Sequence, residues 1–302
     1  MENFTLDLSL IIPAYNEEKS IASVIQAIRK ILVDLDFQYE IIVVDDGSDD
    51  QTAEEAASVG ARVISHPENL GNGAGIKTGI RSARGKLLLM MDGDGQHPPE
   101  MIPVLLKEAE EYDMVVGART RDSQTDFHRD FGNSVYNALA SYVTGRKIED
   151  LTSGFRVIRS EIARKFVYLL PNTFSYPSTI TLAVLRSGGS LSYVPILSRR
   201  RIGRSKIKII RDGMRFLTII LRVATYYSPL KVFIPVSILM FLTGFGYGLF
   251  KVLFLNTRYG PTSAMLMTVS VVVFMVGLVS EQVAQLMYIL SENHLENENN
   301  LS

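Results

Sequence analysis

The chain has 302 residues, 47% of them hydrophobic, with 31 Lys and Arg against 32 Asp and Glu and a formal charge of −1. It contains no cysteine, which excludes disulfides, thiolate metal sites and a cysteine nucleophile and agrees with a reducing compartment. A single globular domain would usually end before about residue 250, so the last third is expected to be something other than more core.

Over roughly the first 120 residues, short β-branched runs alternate with helical patterns, as in a parallel sheet with crossover helices. Residues 8–12 read as a first strand, and 17–33 as a helix with Ile21, Val24, Ile25, Ile28 and Leu32 on one face. A strand at 40–44, a helix near 51–59, a strand at 62–64, a helix over 74–83 and a strand at 86–91 follow, and 113–117 closes the series. Beyond it come a helix over 126–144, a loop at 149–156, helices near 161–168 and 179–187, and an edge strand at 193–196. Residues 207–227 then place Lys208, Arg211, Arg215 and Arg222 on one helical stripe opposite Ile210, Met214, Leu217 and Leu221, the pattern of a helix lying in a membrane interface.

Two long apolar runs complete the chain. Residues 232–250 and 261–280, 19 and 20 in number, carry no charge and are each long enough to cross a hydrocarbon layer of about 30 Å. Joined by the link 256–260, they are expected to form a transmembrane hairpin with spans at 231–254 and 262–289. Arg199, Arg200, Arg201, Arg204, Lys206, Lys208, Arg211 and Arg215 crowd the approach to the first span, which predicts that both chain ends are cytoplasmic. The N-terminus carries no basic segment or leader-like apolar run, so nothing suggests export of the first 200 residues. A membrane surface accounts for the basic block better than nucleic acid does, and no nucleic-acid partner is expected. The expected organisation is a cytoplasmic catalytic domain over 1–205, an amphipathic helix over 206–228, the hairpin over 229–291 and an acidic tail over 292–302.

In open sheets of this kind, ligands sit beyond the carboxyl ends of the strands. The polar clusters fall there: Pro13-Ala14-Tyr15-Asn16-Glu17 after the first strand, Asp45-Asp46-Gly47-Ser48 after the second, Asp92-Gly93-Asp94 after the fourth, and Arg119 after the fifth. Two carboxylates one residue apart at a strand end suit a hard divalent cation shared with substrate phosphates, so Asp92 and Asp94 predict a diphosphate ligand. His97, beside two prolines, reads as a cap of the following helix rather than a metal ligand. Gly71-Asn72-Gly73-Ala74-Gly75 lacks the placement of a dinucleotide fingerprint and reads as a turn opening the helix that carries Lys77.

In order along the chain, Pro-Ala-Tyr-Asn-Glu (13–17), Asp-Asp-Gly-Ser-x-Asp (45–50), Asp-Gly-Asp-Gly-Gln-His-Pro (92–98), Thr-Ser-Gly-Phe-Arg (152–156) and Arg-x-x-Gly-x-Ser-Lys (200–206) resemble family 2 glycosyltransferases. Within that family the chain resembles polyprenyl-phosphate sugar transferases of the dolichyl-phosphate mannose synthase type. The resemblance implies a GT-A fold, an α/β nucleotide-sugar-binding sheet with flanking helices. It also implies inverting transfer of a sugar from a nucleotide-sugar donor to a polyprenyl phosphate acceptor at the cytoplasmic leaflet.

On this reading Pro13, Tyr15, Glu17, Asp45, Asp46, Lys77 and Asp92 bind the donor, and Asp92, Asp94 and Gln96 hold Mg²⁺ or Mn²⁺ against the diphosphate. A phosphate monoester with a second pKa near about 6 is largely dianionic at neutral pH and needs no general base. Fixed cations must instead offset the repulsion between two anionic substrates, and Arg119, Arg129, Arg200 and Lys206, with the Ser205 hydroxyl, are the candidates. Arg156 is a weaker member of that set, and Asp150 is expected to order an arginine or touch the sugar. The absence of tryptophan removes the Gln-x-x-Arg-Trp platform of processive synthases and favours single transfer. Three alternatives stay open: a non-catalytic membrane-tethered nucleotide-sugar-binding subunit, a transferase for a different lipid acceptor, and a nucleotidyltransferase. The sugar, the base and the oligomeric state are also open, a homo-oligomer being one outcome.

Overall fold

A computed structural model describes residues 4–120, 127–172, 176–198 and 228–301, except for the side chains of 127–133, 288 and 290–301. The chain divides into two compact units, one built on a sheet and one on a helical hairpin.

The first unit holds strands β1 (Leu6–Ala14), β2 (Tyr39–Asp45), β3 (Arg62–Ser65), β4 (Gly85–Met90), β5 (Met114–Arg119), β6 (Arg156–Arg159) and β7 (Leu191–Ile196). They form one seven-stranded sheet in the order β3-β2-β1-β4-β6-β5-β7. β1 runs parallel to β2 and β4, with Ile11 opposite Ile42 on one side and Met90 on the other. Its inner strands are buried on both faces, so they read as continuous apolar runs rather than alternating ones. Among the helices, α1 (Ile21–Leu32) buries Ile21, Val24, Ile25, Ile28 and Leu32, the stripe its 3.6-residue period predicts. The sequence reading of 74–83 corresponds to α3 (Asn72–Ser82), which follows α2 (Thr52–Ser58) and opens from Gly71 in the left-handed region at φ 104°.

Two features depart from the sequence reading. α4 (Ile102–Glu108) was not anticipated, and β6, which falls at the end of the expected loop, is antiparallel to both β4 and β5. The sheet is therefore mixed rather than parallel, with β7 rejoining β5 in parallel at the edge. Reversal of β6 brings the segment preceding it, residues 150–155, to the carboxyl ends of β4 and β5. Helices α5 (Phe127–Thr144), α6 (Ser160–Phe166) and α7 (Tyr176–Arg186) follow in chain order among the described residues.

In the second unit, helices Pro229–Phe254 and Pro261–Leu301 form the hairpin, and Pro229–Phe254 and Pro261–Met287 are apolar enough to cross a membrane. Small residues let the helices approach: a Cβ on Gly277 would lie 2.6 Å from Phe233 Cβ, and one on Gly244 would lie 2.8 Å from Leu266 Cβ. The backbone stays helical to Leu301, through the segment expected as an acidic tail. The expected interface helix over 206–228 lies outside the described residues, apart from Ser228 ahead of the hairpin.

Candidate functional site

The strand order reverses direction between β1 and β4, the position where open α/β sheets form a ligand crevice. On the β1 side, the loops after β1 and β2 are laced together. Asn16 N–H donates to Ser48 Oγ (3.0 Å), Asp49 N–H to Asn16 Oδ1 (2.9 Å), Glu17 N–H to Thr52 Oγ1 (2.9 Å) and Glu18 N–H to Asp50 Oδ2 (3.3 Å). Asn16 adopts φ 56°, a left-handed conformation that asparagine tolerates better than most residues. The lacing fixes Pro13, which is buried, and leaves the Tyr15 ring 42% exposed, a position from which it can cover a base. Glu17 Oε2 accepts from Ser20 Oγ at 3.0 Å.

Asp46 is placed differently from its expected part in the nucleoside pocket. It is buried and accepts from His66 Nδ1 (2.7 Å), Leu70 N–H (3.0 Å) and Gly71 N–H (2.7 Å), while His66 Nε2 meets Thr78 Oγ1 at 2.8 Å. It thus pins the loop 66–71 that leads into α3. Asp45 is also buried, and its Oδ1 accepts from Ser48 N–H at 3.3 Å. Gly47 sits under the same loop at φ 70°, where a Cβ would lie 2.6 Å from the Glu68 carbonyl carbon. Lys77 on α3 donates to Asn172 Oδ1 at 2.7 Å, and burial together with the nearby Arg81 lowers its pKa.

Beyond β4, Asp92 and Asp94 lie on one tight loop. Asp94 Oδ1 accepts from Gln96 N–H at 3.1 Å, and the Gln96 carbonyl accepts from Ser198 Oγ at 3.4 Å. Asp92, with its side chain 34% exposed, meets His97 Nε2 at 3.1 Å through Oδ2 and the Asn72 amide at 3.5 Å through Oδ1. Its surroundings disfavour charge, but the His97 bond and charge, Asn72 and Arg119 outweigh that penalty and hold its pKa below the ordinary value. Gly154 abuts the same carboxylate, where a Cβ would lie 2.9 Å from Asp92 Oδ2. His97 therefore does not cap the next helix. The cap position belongs to Pro98, and the imidazole turns toward Asp92 instead.

At the end of β5, Arg119 is gripped by Asp150. Nε donates to Oδ2 at 2.7 Å and Nη2 to Oδ1 at 2.9 Å, with a further Nη2 bond to Thr152 Oγ1. Burial works against the Asp150 charge, but the Arg119 bonds and charge outweigh it and lower the pKa. Arg156, in contrast, is not a cleft cation. It is fully buried, donating from Nη1 to the Pro177 carbonyl (2.9 Å) and Thr181 Oγ1 (3.0 Å) and from Nη2 to the Ser153 carbonyl. Arg200, Ser205 and Lys206 lie outside the described residues, as does the Arg129 side chain on α5.

Asn16, His66, Asn72, Thr152 and Asn172 were not singled out from sequence. Each is a short polar side chain bonding across 12 or more residues, which local pattern does not encode. Among the described residues no three His, Cys, Asp or Glu side chains converge as a protein-only cage. A small divalent cation shared with a diphosphate needs only one or two carboxylates, so Asp92 and Asp94 fit that demand.

Known proteins share this architecture. The family described as Glycosyl transferase family 2 matches residues 9–167, and the GtrB C-terminal hairpin matches 228–286. The undecaprenyl-phosphate 4-deoxy-4-formamido-L-arabinose transferase of Proteus mirabilis is 36% identical over 183 residues, 56% of each chain. The dodecaprenyl-phosphate galacturonate synthase of Rhizobium johnstonii is 32% identical over 169 residues, 53% of this chain and 50% of that one. The chain thus spans about half the length of these two relatives, whereas a transferase of the first description from Sodalis glossinidius aligns at 26% identity over 92% of this chain and 89% of its own. Glucosyl-3-phosphoglycerate synthase of Mycobacterium tuberculosis, solved with Mn²⁺ and UDP-glucose, superposes with a TM-score of 0.58 at 19% identity, covering 73% of this chain and 79% of that one. The fold is therefore GT-A. With its motifs in order at the crevice and the family match running over residues 9–167, more than half its length, the chain belongs to glycosyl transferase family 2.

Proposed function

We propose that this protein transfers a sugar, with inversion, from a nucleoside diphosphate sugar to a polyprenyl phosphate at the cytoplasmic face of a membrane. The observation that carries this reading is the joint presence of the Asp92–Asp94 loop at the strand-order reversal and a hairpin of two membrane-length apolar helices in the same chain. The names of the relatives support it, since each of those aligned is a polyprenyl-phosphate sugar transferase or synthase.

In the reaction, a phosphate oxygen of the lipid forms a bond to the anomeric carbon as the bond from that carbon to the diphosphate breaks. The nucleoside diphosphate leaves with the electron pair. Tyr15 and the laced loop around Asn16 and Glu17 hold the nucleoside, while Asp46, through loop 66–71, holds the mouth of α3 in place. Asp92 and Asp94, with Gln96, would hold Mg²⁺ or Mn²⁺, which when bound neutralises charge on the leaving diphosphate. The Arg119–Asp150 pair presents a fixed guanidinium at the rim of the same crevice. Arg200, Ser205 and Lys206 supply the acceptor phosphate with cations and a hydroxyl donor.

The test is the full-length protein in detergent with a panel of UDP- and GDP-sugars, Mn²⁺ and undecaprenyl phosphate, read as release of nucleoside diphosphate together with a labelled lipid product. Turnover by the wild type and none by Asp94→Asn supports the proposal. Tight donor binding with no product from any donor would leave a binding subunit as the better reading.

A further inference from the structure

One group in the crevice has no task in the reaction just described. His97 is 6% exposed, and its ring is stacked on the fully buried Phe155 with centroids 5.3 Å apart and planes at 23°. Two buried prolines follow it and stiffen the backbone on that side. Only one of its nitrogens is served among the described residues. Nε2 meets Asp92 Oδ2 at 3.1 Å, whereas Nδ1 is buried with no hydrogen-bond partner.

A buried polar atom without a partner is a standing cost, and each native instance calls for a reason. If the position needed only to pack on Phe155, a phenylalanine would stack as well and carry no orphaned nitrogen. The imidazole is therefore retained for its other nitrogen. That nitrogen fixes Oδ2 of Asp92 from the core side, and Gly154 leaves that oxygen the room to sit there, since a Cβ at this position would lie 2.9 Å from it. Oδ1, on the side of the exposed Asn72 amide, is left as the oxygen turned away from the imidazole.

We infer that His97 is a positioning residue that locks the rotation of the Asp92 carboxylate, so that one chosen oxygen faces a divalent cation carried by the nucleoside diphosphate. The inference rests on the proposed function above and adds to it. Hydrogen bonds that orient a ligating carboxylate are typically worth about 10–100-fold in metal affinity, because they remove the side-chain freedom that binding would otherwise have to freeze.

The experiment uses the full-length protein in detergent and measures Mn²⁺ affinity in the presence of UDP by electron paramagnetic resonance, alongside the melting temperature of the metal-free protein. His97→Phe keeps the stack and deletes the donor. His97→Gln places an amide N–H where Nε2 stood. The expected result is Mn²⁺ affinity about 10–100-fold weaker in His97→Phe, affinity within a few-fold of wild type in His97→Gln, and a melting temperature of His97→Phe no lower than wild type. Wild-type Mn²⁺ affinity in His97→Phe would overturn the inference, as would equal losses in both variants accompanied by a lower melting temperature, which would make His97 a packing residue. If the wild type itself retains no Mn²⁺ with UDP, the proposed function falls and this inference with it, an outcome distinct from the variant results.

Discussion

Replacing Asp150 with asparagine tests how much of the crevice rim depends on one carboxylate. Oδ2 of Asp150 accepts from Arg119 Nε (2.7 Å) and Arg119 N–H (3.2 Å), and Oδ1 accepts from Arg119 Nη2 (2.9 Å), Thr152 N–H (3.1 Å) and Ser153 N–H (3.1 Å). The side chains of Arg119 and Asp150 are 18% and 6% exposed, so water replaces little of what is lost. Asparagine keeps one acceptor, but in either flip it turns an amide donor against donors already there. Removing one partner of a buried pair costs about 3–5 kcal/mol, mostly through the charge left behind. For a unit of this size that corresponds to a fall in melting temperature of roughly 6–20 °C. Thermal unfolding of the full-length protein in detergent, followed by near-UV circular dichroism, reads it directly. The double variant Arg119→Leu/Asp150→Leu should lie closer to wild type than the two single losses summed, because it strands no charge. The sign of the pH dependence follows from the lowered pKa of Asp150. Its contribution is full above the unfolded value of about 3.9 and fades as pH falls through the folded value, so the gap between wild type and Asp150→Asn should narrow below about pH 4. A fall of less than about 3 °C at neutral pH, where the pair is expected to be worth several kcal/mol, would refute the reasoning.

Two further outcomes are expected. Gly47→Ala should destabilise the protein by at least about 1–2 kcal/mol for the left-handed backbone alone, and the 2.6 Å approach to Glu68 should shift loop 66–71 as well. Thermal unfolding and UDP titration would register the two effects, and a silent substitution would contradict the packing described. Tyr15→Ala, at an exposed position, should leave the melting temperature nearly unchanged yet weaken donor binding by about 5–150-fold, the range of a lost base–aromatic stack of ~1–3 kcal/mol. Unaltered donor affinity would remove Tyr15 from the nucleoside pocket.

The strands that hold the crevice were legible because β1, β2, β4 and β5 are buried on both faces and spell apolar runs, each ended by a polar cluster. The stripe of α1 was legible for the matching reason at helical period. β6 was not, because it has four residues, begins and ends in arginine, and pairs with residues 40 or more positions away, the nearest being Val116 opposite Arg156. The burial of Arg156 escaped for a related reason: its acceptors at Pro177 and Thr181 become neighbours only once α7 is packed. Asp46 looked like a ligand contact because nothing local indicates that His66, Leu70 and Gly71 will arrive to claim it.

The reversed course of β6 has an implication for how selectivity can diverge. Because this strand travels against its neighbours, the stretch between Thr144 and Arg156 enters the sheet at the crevice rather than departing from it. The exposed positions of that inbound stretch ahead of Asp150, such as Lys147 and Glu149, can be exchanged without altering which rungs of β4, β6 and β5 face one another. That outer part of the rim is thus free to diverge on an unaltered frame, whereas the buried Asp150, Leu151, Ser153 and Phe155 belong to the frame itself and cannot be exchanged without a cost in melting temperature.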